Sequence, residues 1–339
     1  MTGMDSTGFE NSKAEGSGSD RRRLTSIRRM AVLLTALALV TLVVSATIRL
    51  SAAGLGCDTW PECYGQILTA ASPAPMDMLR ITHRAVATLA LLLVIALVWR
   101  SWRPQPLLAV ARRSVALLVL TLALTGVGIF SGDPNRVWTS FLNMLGGVAL
   151  VALSWRLVLD STYPLWAPSP MTSSMEPRAT LDTILLKSGR IALIATIVLG
   201  ALIGARYAAL SCATVPLCDG MWWPSSDGWS LLNPLRAFAP VLAPMVAGEP
   251  GGQVLHLLHR VSAVLTVFVV GLLGLRALSN PATRPFGWML LLVLLIEFAL
   301  GGLTVKSGFS LILAVAHSVC AAVLLMFLVQ LSSIRLKSA

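Results

Sequence analysis

Charged residues are scarce in this sequence: Asp, Glu, Lys and Arg make up 12% of the 339 residues, whereas hydrophobic residues make up 56%. Soluble globular domains contain about 25% charged residues, so this chain has too little charge to cover a water-exposed surface. Acidic residues are the scarcer kind, with 15 Asp and Glu against 26 Lys and Arg. The composition excludes an ordinary soluble domain and indicates a polytopic membrane protein.

The basic residues do not form one patch, as they would in a nucleic-acid-binding protein. They lie between apolar runs along the chain, and this distribution is typical of a protein oriented in a bilayer. Membrane lipid is therefore an expected partner, and nucleic acid is not.

Eight apolar runs are long enough, at roughly 20 residues each, to cross a bilayer as helices. Because lipid offers the backbone no hydrogen-bond partners, each run must satisfy its polar groups internally, which predicts an all-α fold. The predicted spans are approximately residues 30–50, 77–99, 109–130, 138–158, 189–207, 253–275, 286–305 and 309–331.

The first 29 residues are polar, rich in Gly and Ser, and end in a cluster of arginines. This composition predicts a disordered tail. The apolar run that follows is too long for the core of a signal peptide, so it is expected to remain as a helix.

The positive-inside rule predicts the direction of the spans. With the amino terminus in the cytoplasm, all but eight of the 26 Lys and Arg residues fall on the cytoplasmic side or at its border. The exceptions are Arg49, Arg80, Arg84, Arg136, Arg206, Arg236, Arg260 and Lys306. Both termini, including the short tail 332–339, are then cytoplasmic, and the loops after spans one and five are outside.

Cysteine is also rare, and four of the 5 cysteines form two similar pairs in those outer loops. Cys57 and Cys63 lie in GLGCDTWPECYG, and Cys212 and Cys218 lie in SCATVPLCDG, with five residues between the members of each pair. On the oxidising side of a membrane such pairs usually form disulfides. A structural staple is one interpretation of each pair. Redox-active thiols near a site are the other, favoured more for the first pair, which encloses an aromatic residue and a proline.

The cysteine pairs belong to an internal repeat. Each pair is followed by a polar loop and then by a helix that opens with His-Arg, at His83 and at His259. The sequence therefore predicts two parallel four-helix halves, 30–158 and 189–331, joined by a cytoplasmic linker, 159–188.

All four histidines lie in predicted spans or at their ends. At 1.5 Å per residue, His259 in span six and His317 in span eight are both expected roughly 10 Å below the outer surface. Two imidazoles at one depth in a helical bundle are suited to be the axial ligands of a haem. Hydrogen bonding within the bundle and a zinc site are the alternatives. Zinc is disfavoured because no Asp, Glu or Cys lies nearby at ligand spacing.

Two neighbours of His259 are further candidates for this site. Arg260 is predicted to pair with a haem propionate, or else to extend toward the membrane interface. His256 lies one turn nearer the outside and is predicted to support the ligand histidine or to lie on the propionate side.

Together these features resemble the haem A synthase family. The resemblance rests on the two halves of four spans, the outer cysteine pairs, GLGC-x-x-WP-x-C, His-Arg at the start of spans two and six, and GGLTV before a histidine-bearing last span. It covers about residues 30–331. The cysteine loop and the two His-Arg motifs are fairly specific, whereas the apolar runs are not.

The resemblance implies a multi-pass oxidoreductase of the bacterial inner membrane. Such an enzyme oxidises a methyl group of haem O to the formyl group of haem A for haem–copper oxidase biogenesis. Haem O is the implied substrate, and haem O synthase is the implied partner that supplies it. A homo-oligomer is compatible with the resemblance.

The resemblance also assigns residues to two haem sites. In the second half, His259 and His317 would bind a haem b cofactor. In the first half, His83 and Arg84, together with Arg80 and Asn143, would bind the substrate haem. The first cysteine pair is tied to activity or to the transfer of haem, so that these cysteines and His83 are the implied catalytic residues.

Two positions in the first half depart from the family pattern. The family has Glu-x-x-His-Arg in the second span, but here Arg80 stands three residues before His83. Arginine cannot act as a carboxylate base, and its fixed charge favours a propionate or an anionic intermediate instead. In the fourth span, Asn143 stands where a histidine is expected. Asparagine is a poor iron ligand, so His83 is left as the one expected axial ligand in this half.

Glu297 is an ionisable residue within span seven, roughly at the depth of His317. A residue of this kind inside a membrane is by default a functional-site hypothesis. Glu297 is predicted to tune the cofactor haem or to bond a ligand histidine, and a packing role is the alternative.

Two functions are therefore weighed. The first is a haem A synthase-type oxidoreductase, favoured by His83, Arg84 and the complete cysteine loop. The second is a non-catalytic haem-b-binding membrane protein acting in haem or electron transfer or in oxidase assembly, favoured by Arg80 and Asn143. A transporter is disfavoured, because the spans lack Gly and Pro breaks at corresponding midplane positions.

The topology predicts that the four loop cysteines are outside and oxidised. In sealed cells, a membrane-impermeant maleimide should label Cys57, Cys63, Cys212 and Cys218 only after an impermeant reductant is added, because a disulfide has no free thiolate. Peptide mass spectrometry would quantify the labelling. Cys320, predicted inside the membrane, is the internal control. Rapid labelling of all four without reduction would contradict both the pairing and the topology.

Overall fold

The computed structural model describes residues 6–55, 57, 59, 61–68, 77–162 and 177–338. The long helices in this part of the chain are α1 (Ser6–Ala52), α2 (Asp77–Trp102), α3 (Leu108–Ile129), α4 (Val137–Asp160), α5 (Pro177–Ala205), α6 (Pro250–Ala277), α7 (Arg284–Lys306) and α8 (Leu311–Ser338). All eight contain a stretch long and apolar enough to cross a membrane. No β-strand forms within the described ranges. The predicted all-α fold with eight transmembrane helices is confirmed, and the chain is a multi-pass membrane protein.

The pattern of burial along α1 shows how such a helix packs. Its buried residues recur every three or four positions: Ile27, Ala31, Leu34, Ala38, Leu42 and Ala46. This spacing places them on one side of the helix. The opposite side is apolar as well but exposed, with Leu33 54% exposed. A helix that is apolar on both sides while one side faces outward suits a lipid environment.

The helices form two sets of four. In the first set α1 and α3 each contact both α2 and α4, so α2 and α4 lie on a diagonal. In the second set α5 and α7 each contact both α6 and α8, so α6 and α8 lie on a diagonal. The sets meet where α8 contacts α1 and α4, and where α5 contacts α4. That the two sets are repeats of one another stays a prediction, as do the domain limits drawn from it.

One apolar core joins the two sets, with buried residues contributed by all eight long helices. Polar contacts reinforce this core toward the side where α1 begins. The indole Nε1 of Trp155 on α4 donates to Oε1 of Gln330 on α8 at 3.1 Å. On the same side, Asp182 pairs with Arg276 at 2.7 Å, and Asp160 pairs with Arg156 at 3.2 Å and also with Arg113.

The predicted disordered tail is wrong for the residues that the structure describes. Helix α1 begins at Ser6, so residues 6–29 continue the first span as helix. Tertiary contacts explain the order of the final part of this segment. Nε of Arg23 donates to the carbonyl of Arg100 at the end of α2 at 2.7 Å, and Ile27 is fully buried.

Both predicted disulfides are present, between Cys57 and Cys63 and between Cys212 and Cys218. The first loop needs the glycine of its GLGC motif, because Gly54 has φ +103° and a Cβ there would lie 2.6 Å from the carbonyl oxygen of Cys63. Trp60 lies outside the described residues, as do residues 163–176 of the predicted linker 159–188.

The two disulfide loops contact each other on the side opposite to the start of α1. The hydroxyl of Tyr64, in the first loop, accepts a hydrogen bond from the backbone N–H of Ala209 at 3.2 Å. The rings of Tyr64 and Tyr207 lie 6.2 Å apart between centroids. The segment 206–249 of the second set also reaches the first set, where Phe238 packs on Phe141 of α4 at 5.1 Å.

Candidate functional site

The structure brings together the two histidines that the sequence predicts as a pair. His259 on α6 and His317 on α8 come from the diagonal helices of the second set. Their ring centroids lie 6.3 Å apart, and their planes are at 90°. The two side chains, which the sequence predicts at the same depth, are therefore neighbours in the structure.

The backbone of α5 holds the ring of His259. Nδ1 of His259 lies 3.0 Å from the carbonyl oxygen of Thr196. A carbonyl oxygen can only accept, so Nδ1 carries the proton and Nε2 keeps its lone pair. The side chain of Thr196 also bonds to the hydroxyls of Ser262 at 2.7 Å and Thr266 at 3.0 Å, which fixes α5 against α6 beside the ring.

A carboxylate on α7 lies beside the ring of His317. Nδ1 of His317 is 3.0 Å from Oε1 of Glu297. A carboxylate at this distance favours a proton on Nδ1, so Nε2 is again the nitrogen with a free lone pair. The second oxygen of Glu297, Oε2, is buried and makes no hydrogen bond within the described part of the chain. The sequence predicts Glu297 at the depth of His317, and in the structure the two side chains lie next to each other.

Two glycines allow the rings to approach the neighbouring helices. Gly200 follows Thr196 by four residues on α5, and Gly301 follows Glu297 by four residues on α7, so each glycine is on the same helix face as the Nδ1 partner. A Cβ at Gly200 would lie 3.1 Å from Cε1 of His259, and a Cβ at Gly301 would lie 3.1 Å from Cε1 of His317. The sequence analysis noted Gly301 only within GGLTV and missed Gly200 altogether.

This arrangement fits a haem held between the two histidines. Metal-binding histidines nearly always donate their other ring N–H to a carboxylate or a backbone carbonyl. Nδ1 of His259 has such a hydrogen bond, and Nδ1 of His317 lies 3.0 Å from a carboxylate without making a hydrogen bond to a described residue. The Nε2 lone pairs remain for a metal within an apolar helical bundle, as in proteins with two axial histidines. A zinc site is not supported, because the described residues contain no cluster of three His, Cys, Asp or Glu side chains able to hold a metal.

Arg260 donates to the backbone of the second disulfide loop, and its pairing with a propionate stays a prediction. Its Nη1 donates to the carbonyls of Pro216 at 3.1 Å and Leu217 at 3.3 Å, and its Nη2 to those of Cys212 at 3.3 Å and Thr214 at 2.7 Å. The reason is that the disulfide loop is too irregular to pair its own carbonyls, which need donors from elsewhere. Arg260 therefore holds the loop against α6.

His256 also makes a hydrogen bond to the backbone. The side chain is 5% exposed, and its Nε2 donates to the carbonyl of Ala208 at 2.9 Å. This bond ties the start of α6 to the segment that follows α5. It supports the helix that carries His259, and a place of His256 on the propionate side stays a prediction.

The candidate residues of the first half lie on the corresponding diagonal pair of helices. His83 on α2 and Asn143 on α4 are partly buried, whereas Arg80 and Arg84 on α2 are exposed. No hydrogen bond joins His83 to another described residue. The roles assigned to these four residues and to Cys57 and Cys63 stay predictions.

A cavity of about 570 Å³ lies elsewhere, between α1 and α8. Its walls are almost wholly apolar, with Val43, Val315 and Val319 among the lining residues, and no histidine contributes to them. Such a groove at the surface of a membrane protein suits lipid chains, so we do not assign it to the histidine site.

Comparison with known proteins gives consistent matches. The sequence pattern of the family described as cytochrome oxidase assembly protein matches residues 138–329. A heme A synthase of Shewanella oneidensis is 26% identical over 337 residues, covering 91% of this chain and 96% of that protein. Heme A synthases of Halalkalibacterium halodurans and Geobacillus thermodenitrificans are each 24% identical, over 303 and 305 residues. These matches cover 84% and 86% of this chain, and 89% and 86% of the relatives.

The contacts of Arg260 predict a specific effect on the second disulfide loop. Arg260→Ala removes all four donated bonds, so local opening of residues 212–217 should become easier by about 2 kcal/mol, or roughly 30-fold in hydrogen exchange. Hydrogen–deuterium exchange of the purified protein would measure this. Arg236→Ala, which removes an exposed outer arginine, is the matched control. Unchanged exchange in the Arg260 variant would show that the loop is held by its disulfide alone.

Proposed function

The chain belongs to the cytochrome oxidase assembly protein family, and on this basis we propose that it is a haem A synthase-type oxidoreductase acting on haem O. The observation that carries the proposal is the pair His259 and His317, whose Nδ1 atoms each lie 3.0 Å from an oxygen of a neighbouring helix and whose Nε2 atoms are left for a metal. The full-length similarity to proteins named heme A synthase supports it.

In this proposal the second half holds haem b as a resident cofactor. His259 and His317 would hold the haem, Thr196 and Glu297 would orient the two rings, and the glycines at 200 and 301 give the rings room. When bound, haem b supplies one-electron redox chemistry. The apolar bundle excludes water from the histidine pair.

The proposed reaction converts a porphyrin methyl group of haem O to a formyl group. With water as the oxygen source, each methyl gains one oxygen and releases four protons and four electrons to a one-electron acceptor outside the chain. His83 would position the iron of the substrate, and the charges of Arg80 and Arg84 would attract its propionates. Because arginine cannot accept a proton, no base is assigned to the position of Arg80.

The setting of this activity is also proposed. We place the protein in the bacterial inner membrane with both termini in the cytoplasm, on the distribution of Lys and Arg. A haem O synthase would supply the substrate.

The activity is tested by the haems that cells contain. Cells expressing this chain together with a haem O synthase should accumulate haem A or its hydroxylated intermediate, detected by chromatography and mass spectrometry of extracted haems. His83→Ala should abolish the product while the purified protein keeps its haem b spectrum. If only haem B and haem O appear while the protein carries haem B, the chain is a haem-binding relative without the oxidation, as Arg80 and Asn143 would then explain.

The cofactor site is tested separately by absorption spectroscopy of the purified protein. His259→Ala and His317→Ala should each abolish a low-spin b-type spectrum, because either change removes an axial ligand. Gly301→Val should also lose most of the bound haem, since its Cβ alone would lie 3.1 Å from the ring of His317.

Gly302→Val is the matched control for that substitution. Gly302 is the next residue on α7, and a Cβ there would meet nothing within 4 Å, so this variant should retain the spectrum. Equal haem content in the two glycine variants, or an unchanged spectrum in both histidine variants, would remove the assignment.

A further inference from the structure

Helix α5 carries a second glycine one turn outward from the glycine beside His259. Gly200 and Gly204 are four residues apart, so they share a helix face and are separated by about 6 Å along the axis. A Cβ at Gly204 would lie 3.1 Å from Nη1 of Arg49 and 3.6 Å from Sδ of Met144. The guanidinium of Arg49 and the imidazole of His259 therefore rest on the same face of α5, with Arg49 nearer the outside.

Arg49 belongs to the first set of helices but reaches the second. It is in the last turn of α1, whereas Gly204 and His259 belong to the second set. The residues around it come from both sets: an apolar cluster here includes Ala53 and Tyr64 from the first and Ala205 and Tyr207 from the second. Arg49 thus lies where the two halves meet, above the histidine pair.

The charge of Arg49 has no neutralising partner among the described residues. Burial raises the pKa of both Tyr64 and Tyr207, and although the charge of Arg49 opposes that rise, both hydroxyls are neutral at pH 7. No carboxylate of the described chain forms an ion pair with Arg49. Arg49 is partly buried, and a cation that is partly removed from water is stabilised by an anion or by several hydrogen-bond acceptors.

Neighbouring arginines on the outer side show the contrast. Arg260 donates to four backbone carbonyls. Nη1 of Arg206 donates to the carbonyls of Arg236, Ala237 and Ala239 at 3.0 to 3.2 Å. Arg49 makes no such bond to a described residue, so its five N–H donors remain for a ligand.

We propose that Arg49 binds a carboxylate of the porphyrin held between His259 and His317, so that the first half of the chain completes the cofactor site of the second. This inference rests on the proposed function. A haem carries its two propionate carboxylates at one edge, and the guanidinium fork matches a carboxylate through two parallel hydrogen bonds. The assignment gives Arg49 the role that the sequence analysis predicted for Arg260.

The test compares a porphyrin with and without free carboxylates. The full-length chain, produced without haem, is loaded with iron protoporphyrin IX or with its dimethyl ester, and the loss of the low-spin spectrum to excess apomyoglobin is timed. Arg49→Gln should lose iron protoporphyrin IX roughly ten- to a hundredfold faster than the wild type. Arg49→Lys, which keeps the charge but not the fork, should fall between them.

The ester supplies the decisive comparison, as in a double-mutant cycle. The wild type should lose the ester about as fast as Arg49→Gln loses the free acid. Arg49→Gln should lose the ester at the same rate as it loses the free acid. Arg236→Gln, which changes an exposed outer arginine, should behave as the wild type with both porphyrins. Matching elution profiles and low-spin spectra would show that the Arg49 variants are folded.

Three results would overturn the inference. Equal acceleration with both porphyrins would mean that Arg49 acts by binding a lipid phosphate or another group of the chain. Asp58, which lies outside the described residues, is the first such group to examine, through Asp58→Asn. No acceleration in Arg49→Gln would exclude the contact while leaving the histidine site intact. A wild type that binds no porphyrin would refute the proposed cofactor site, and this inference with it.

Discussion

A buried imidazole has two ring nitrogens, and inside a membrane bundle each of them needs a partner. This requirement determines the arrangement around His259 and His317. In both cases a neighbouring helix places an oxygen 3.0 Å from Nδ1, a backbone carbonyl at Thr196 and a carboxylate at Glu297. Since an oxygen beside Nδ1 favours the proton there, Nε2 is the nitrogen left with a lone pair at each ring. A single haem iron between the rings would satisfy both, which is why the site supports a redox cofactor better than a structural role.

The same requirement explains the arginines on the outer side. Loops of irregular backbone do not pair all of their own carbonyls. Arg206 and Arg260 together donate seven hydrogen bonds to backbone carbonyls of such segments. The disulfide between Cys212 and Cys218 closes the loop that Arg260 holds. As a result, the outer surface above the histidine pair is assembled from both halves of the chain, through Tyr64 of the first loop and Ala209 of the second.

The features that could be predicted from the sequence are those set within a single helix. Apolar runs predicted eight spans, and the rise per residue predicted that His259 and His317 share a depth. The role of Thr196 could not be predicted, because every residue has a carbonyl and no side chain marks the one that a distant ring will contact. Gly200 and Gly301 were missed for a related reason: their role depends on which helix faces them. The contacts of Arg260 could not be predicted because a sequence does not show how many carbonyls a loop leaves unpaired. The contact of Arg23 with the end of α2 likewise depends on how two helices pack.

The central claim is that one haem lies between His259 and His317, and the most direct test is an experimental structure of the protein purified with its haem. Cryo-electron microscopy in a lipid nanodisc would show it. We predict iron bonded to Nε2 of both histidines, with Nδ1 of His259 bonded to the carbonyl of Thr196 and Nδ1 of His317 beside the carboxylate of Glu297. Haem density elsewhere, or iron bonded to only one of the two rings, would contradict it.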